Sequence, residues 1–171
     1  VSMNGYDWTD LISRNAYYSW GYSLWLIPIV KILPHGLWYK AAIILNAMFL
    51  IASYFLAYRT ARILFPQVKN IVISLVVLVV IIYPCNILYA QETWTESLLY
   101  MLMWCATFLV VSMDVKFSFH KFFLLYVILG YMYIVHARCI GIDGVGIVIS
   151  VIIVGRNKKN ILPGAIAIAV L

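Results

Sequence analysis

Charge is what this 171-residue sequence has least of: 11% of its residues are Asp, Glu, Lys or Arg, and only six are acids. With 65% apolar residues and a mean hydropathy of +1.00, the chain lacks the polar surface that a protein folded in water needs. That excludes an ordinary soluble domain and makes the bilayer its solvent. Cysteine is scarce as well, and three thiols cannot build a disulfide framework. Cys105 falls within an apolar run, whereas Cys85 and Cys139 fall near run ends on one side, where they can meet or simply pack as small apolar groups. No internal repeat is visible. No basic run is interleaved with exposed aromatics either, so the net charge of +6 and pI near 9.3 do not point to nucleic acid. Basic loops facing anionic lipid account for that surplus.

What the chain does have is a series of long apolar runs separated by short polar breaks. The predicted class is all-α, a polytopic transmembrane helical bundle in a single domain. Residues 1–36 form an outer loop and juxtamembrane helix, and residues 37–171 hold about five spans and the start of a sixth. Both ends read as cut, because Val1 opens inside a polar aromatic loop and Leu171 closes an apolar run that begins near Ile161. Residues 21–33 make an apolar run of about 13 residues that Pro34-His35-Gly36 breaks, too short for a crossing and suited to a juxtamembrane or re-entrant helix. The spans are predicted at 37 to about 64, about 70–88 with a kink at Pro84, about 96–113, 121 to about 137, and from Gly141 to Arg156. Gly141, Gly144 and Gly146 are placed to allow close helix approach in the last of these.

The few charges are sorted by loop. Arg59, Arg62, Lys69, Lys116, Lys121, Arg156, Lys158 and Lys159 fall on one side of the spans, and Arg14, Lys31, Lys40 and Arg138 on the other. By the positive-inside rule the first side is cytoplasmic. The opposite side collects Asp7, Asp10, Glu92, Glu96 and Asp143 among Trp and Tyr rings. Orientation does not require acids there.

Two outer segments therefore carry the candidate chemistry. Asp7 and Asp10 lie in the first, which runs on to Tyr22; Glu92, Trp94 and Glu96 lie in the second. A carboxylate can act as general base, aromatic faces can stack on a pyranose, and a guanidinium can hold a phosphate, so such a cavity suits sugar transfer. Glu96 is the sharper of the second-loop acids: it opens a helix beside Ser97, with Glu92 four residues earlier on the expected helical face. The alternative for Glu96 is to complement the helix dipole at that N-terminus. His136 and Arg138 stand at the outer end of the fourth span, where ionisable groups are candidates for function; an Arg138 to Asp143 pair bridging two helices is the structural alternative.

One succession of features resembles a known family: Gly5-Tyr6-Asp7-Trp8, then Tyr17-Tyr18-Ser19-Trp20-Gly21-Tyr22-Ser23-Leu24-Trp25-Leu26-Ile27-Pro28, then a span ending in Arg59 and Arg62. Tyr83-Pro84, Glu96 opening the next helix and Arg138-Cys139-Ile140-Gly141 follow. It resembles the GT-C superfamily of polytopic glycosyltransferases, of the bacterial lipid-A aminoarabinose transferase and protein O-mannosyltransferase type. The resemblance implies an integral protein of the bacterial cytoplasmic membrane that takes a sugar from a polyprenyl-phosphate carrier and passes it to an extracytoplasmic lipid, glycan or protein. It implies a catalytic role for Glu96 and a substrate-binding role for Arg138; from their loops Asp7 and Asp10 are further catalytic candidates, and His136, Tyr22, Glu92 and Trp94 further substrate-binding candidates. The chain departs from the family's adjacent acidic pair, since Trp8 and Thr9 separate Asp7 from Asp10. Some members use a divalent cation, but no convincing metal cluster is visible here. The competing classes are a multi-pass transporter or lipid flippase and a non-catalytic membrane scaffold.

Overall fold

Long apolar runs without Pro or Gly become helices because, away from water, a helix is the local way to satisfy every backbone N–H and C=O. The computed structural model describes residues 20–92 and 94–156, and among these the ordered elements are all helical. The α-helices are α1 (Ser23–Ile32), α2 (Trp38–Leu64), α3 (Asn70–Ile81), α4 (Pro84–Gln91), α5 (Glu96–Val115), α6 (Phe119–Val135) and α7 (Ile140–Arg156); short 3-10 turns at His35–Leu37 and Ala137–Cys139 link α1 to α2 and α6 to α7. Asp7, Asp10 and the run from Ile161 lie outside the described residues.

Two helical stretches, His35–Leu64 and Glu96–Val115, are long and apolar enough to cross a membrane, each with a mean hydropathy of 1.9. At 1.5 Å per residue, the 20 residues of α5 span about 30 Å, the thickness of a hydrocarbon core. The predicted 70–88 span is divided: α3 and α4 meet at a 55° bend, and the pair counts as a crossing only if taken together. With 17 residues, α6 is apolar but shorter than the roughly 20 a crossing needs. The short apolar run before Pro34 is helical, as expected, and Trp38 Nε1 closes its end by donating to the Leu33 carbonyl at 2.7 Å.

The bend has a chemical cause. Pro84 has no N–H to give to Val80 four residues earlier, so the ladder stops there. Asn86 Nδ2 repairs the loss by donating to the carbonyls of Val80 and Ile81, each at 3.2 Å. A side-chain amide thus replaces the backbone donor, which is how a broken helix is tolerated in an apolar setting.

Small and weakly polar residues on α2 decide how close its neighbours come. Ala42, Asn46, Phe49, Ser53, Ala57 and Thr60 recur at three- and four-residue spacing and are buried, and α2 packs alongside α5, α3 and α4. Ser53 and Thr60 return their hydroxyls to the carbonyls of Phe49 and Leu56, both at 2.8 Å, and so need no partner on another helix. One apolar cluster joins α5 and α6 through Leu98, Leu102, Phe122, Leu125 and Met132; a second joins α2 to α3 through Ala57, Ile73, Val77 and Ile81. The outward faces are apolar too, with Ile44, Met48, Ile51 and Phe55 on α2 and Ile71, Leu75, Val76 and Val79 on α3 all exposed. A surface this oily is suited to lipid.

Of the three predicted small-residue contacts in α7, one forms. A Cβ on Gly146 would stand 2.6 Å from Leu129 Cδ1, whereas Gly141 and Gly144 face open space.

Candidate functional site

The segment around Glu96 is built by the bend and by the start of α5. Because α4 leaves α3 at an angle, it carries Asn86 and Tyr89 over the first turns of α5, opposite Leu50 of α2. The cleft between them has a volume of ≈ 240 Å³, and Glu96, Ser97, Leu99, Tyr100 and Met103 complete its walls. Glu96 Oε2 and Ser97 Oγ are buried with no hydrogen-bond partner among the described residues. An unpaired carboxylate oxygen and an unpaired hydroxyl, side by side in a largely apolar cleft, are two polar groups that packing alone would not leave unsatisfied. The first turn of α5 offsets part of the cost, since a carboxylate there faces the positive end of the helix.

A second set of contacts ties this segment to the start of α1. Tyr22, at the head of α1, donates to Asn46 Oδ1 at 2.9 Å, and Asn46 Nδ2 donates to the carbonyls of Glu92 at 2.6 Å and Ala90 at 3.4 Å. Tyr39 adds a bond from its hydroxyl to the Gln91 carbonyl at 2.7 Å. Asn46 is completely buried, so an amide inside α2 holds the end of α1 and the loop after α4 together. Burial pushes the Tyr22 phenol above its ordinary range, with the Asn46 bond opposing, so it serves as a donor. On the far side of α1, Trp25 Nε1 donates to the Tyr131 hydroxyl at 2.8 Å, and that hydroxyl donates to the Gly21 carbonyl at 2.7 Å. Gly21 N–H reaches the Ile134 carbonyl at 3.3 Å. The helix before Pro34 is thereby clamped between α2 and α6.

The predicted site residues separate into groups. Glu96 lines the cleft. Glu92 is exposed and sits after the end of α4 in extended backbone, with φ −103° and ψ 153°, so it does not share a helical face with Glu96. That expectation is corrected, because the chain between them is not helical. Trp94 is exposed and lies against Tyr89 with ring centroids 6.0 Å apart. Tyr22 is buried and occupied with Asn46. His136 Nδ1 accepts from the Arg138 backbone N–H at 3.2 Å and shapes the turn into α7. Arg138 is exposed and is not a wall of the Glu96 cleft.

The expected Arg138 to Asp143 pair does not form: Asp143 Oδ1 is buried without a partner among the described residues. The ion pair at the opposite end joins Arg156 to Asp114 at 3.5 Å between two exposed side chains. Cys85, Cys105 and Cys139 are all free, with Cys85 exposed and Cys139 buried, so the first and last do not bond. Among the described residues no three His, Cys, Asp or Glu side chains gather, so the donor set for a divalent cation is not present there. Asn46, polar within an apolar run, and Tyr131 have no role assigned from sequence. The available signal was an Asn within an apolar run, since a buried amide there must find partners.

Compared with known proteins, the chain matches no family model, no curated protein and no solved structure.

Proposed function

We propose that this chain belongs to a polytopic membrane glycosyltransferase embedded in a bacterial cytoplasmic membrane. It would move a sugar from a polyprenyl-phosphate carrier to an acceptor on the extracytoplasmic side. The observation that carries this reading is Glu96 Oε2, sheltered and unpaired in a cleft between α2, α4 and α5. In this scheme Glu96 takes the proton from an acceptor hydroxyl, and the freed oxygen attacks the anomeric carbon. The bond from that carbon to the phosphate oxygen breaks, and the electron pair leaves with the polyprenyl phosphate. The apolar walls supplied by Leu50, Leu99 and Met103 suit the start of an isoprenoid chain, and Trp94 offers an exposed ring for the sugar; Arg138, which does not line this cleft, is left without a part in the scheme.

The test is transfer from a panel of polyprenyl-phosphate-linked radiolabelled hexoses and pentoses by the full-length protein in vesicles. Glu96→Gln should lower transfer by about 10²-fold or more, the usual scale for a lost general base, with no fall in abundance. Transfer at the parental rate would remove Glu96 from this role.

A transporter or lipid flippase is the second reading, and the broken helix pair α3 and α4 favours it, because transporters use discontinuous helices to line their binding sites. Uptake or flipping of labelled substrate by reconstituted protein, with no sugar transferred, would decide for it.

A further inference from the structure

At the end of the helices opposite Glu96, α2 and α3 diverge around an open groove of ≈ 600 Å³. Tyr54, Tyr58 and Arg59 form one wall; Asn70, Ile71 and Ser74 form the other. Tyr54 and Tyr58 stack with ring centroids 6.4 Å apart and planes 17° from parallel, and the Tyr54 hydroxyl is bonded to Ser74 Oγ at 2.5 Å, which fixes the floor. The two arginines here have different tasks. Arg62 Nη1 donates to the Val68 carbonyl at 3.4 Å and helps to close the turn between the helices. Arg59 is exposed and has no partner among the described residues.

Among the described residues no acid pairs with it. Between Asp10 and Glu92 the chain carries no acid at all, so α2 and α3 have none, while Lys69 adds a second cation beside the groove. The described acid at this end, Asp114, is committed to Arg156. A guanidinium over an aromatic, hydroxyl-bearing groove that runs into exposed apolar helix faces has the chemistry of a lipid site: charge and donors for a phosphodiester, rings for the glycerol, and Ile71 with its apolar neighbours for acyl chains.

We propose that the groove between α2 and α3 binds the headgroup of an anionic phospholipid from the leaflet at the basic end, with Arg59 as its phosphate contact. The site rests on the membrane assignment alone. It lies at the other end from Glu96, so failure of the transfer assay leaves it standing.

The experiment is native mass spectrometry of the full chain released from micelles containing equal amounts of phosphatidylglycerol and phosphatidylcholine with identical acyl chains. The expected result is retention of phosphatidylglycerol at least about fivefold over phosphatidylcholine. Arg59→Gln should abolish the preference, Arg59→Lys should keep at least half of it, and Arg62→Gln should leave it unchanged. Inorganic phosphate in excess should not displace the lipid. Equal retention of the two lipids by the parent chain, unchanged selectivity in Arg59→Gln, an equal loss in Arg62→Gln, or displacement by free phosphate would each overturn the proposal. The parental preference decides the matter by itself if Arg59→Gln does not fold.

Discussion

Replacing Asn46 by Leu tests the architecture of the Glu96 end of the helices at its most constrained point. The side chain is fully buried, accepts from Tyr22 at 2.9 Å and donates to the Glu92 carbonyl at 2.6 Å; its third contact, to Ala90 at 3.4 Å, is too long to contribute much. Leu preserves volume and apolarity but leaves a phenol and a carbonyl without partners. In a water-soluble core each such orphan costs about 1–3 kcal/mol. Between membrane helices, measured side-chain bonds average only about 0.6 kcal/mol, because the unfolded chain in lipid also finds partners. Two lost bonds therefore predict a destabilisation of about 1–3 kcal/mol for Asn46→Leu and about 0.6–1.5 kcal/mol for Tyr22→Phe. Reversible unfolding in mixed micelles with increasing denaturing detergent, followed by circular dichroism, gives both values and that of the double variant. If Tyr22 and Asn46 hold each other, the cycle yields a coupling of about 0.6–1 kcal/mol. Strict additivity, with a coupling below about 0.3 kcal/mol, would refute the claim that this bond clamps α1 to α2.

Three further outcomes follow from the same coordinates. Gly21→Ala places a Cβ 2.7 Å from Val135 Cγ2 and 2.8 Å from that residue's Cα and N; backbone cannot move aside cheaply, so α1 should loosen at a cost of about 1–3 kcal/mol, read as faster proteolysis before Pro34, while Gly144→Ala, which faces open space, should be silent. Asn86→Leu removes the donor to Val80 and Ile81 at the bend and should destabilise the fold by about 1–2 kcal/mol in the same unfolding assay, whereas Asn86→Gln should recover part of the loss. Cys139 should label with maleimide more slowly than an ordinary thiol and only at higher pH: burial and then the nearby Asp143 raise its pKa, so less thiolate is present at any given pH. Asp143→Asn should shift that labelling profile toward lower pH, and an unchanged profile would show that burial alone sets it.

The elements themselves were legible because their signals are local. The stop at Arg59 to Phe65, the break at Pro34-His35-Gly36, the bend at Pro84 and the start of a helix at Glu96 each depend on one residue's backbone chemistry or on the length of one apolar run. Glu96 could be singled out on the same basis, as an acid opening a helix. Its isolation within a cleft could not, because that depends on where α4 swings after Pro84. The predicted face shared by Glu92 and Glu96 failed for the same reason: helical spacing carries meaning only while the helix continues, and it stops at Gln91. Arg138 and Asp143 are close in sequence, yet Arg138 sits in the 3-10 turn at Ala137–Cys139 and Asp143 in the first turn of α7, and they form no ion pair.

Sequence by itself determined the apolar character of this chain and the approximate positions of its described helices, since hydropathy, proline geometry and run length act over a few residues. Tertiary structure alone decided which polar groups are spent on architecture and which are left unpaired. Tyr22 and Asn46, 24 positions apart, satisfy each other, and Trp25 finds Tyr131 across 106 positions, while Glu96, Ser97 and Arg59 have no partners among the described residues. A hydrogen bond between distant residues depends on the relative placement of whole helices, which close packing at the small residues of α2 and the bend at Pro84 fix together.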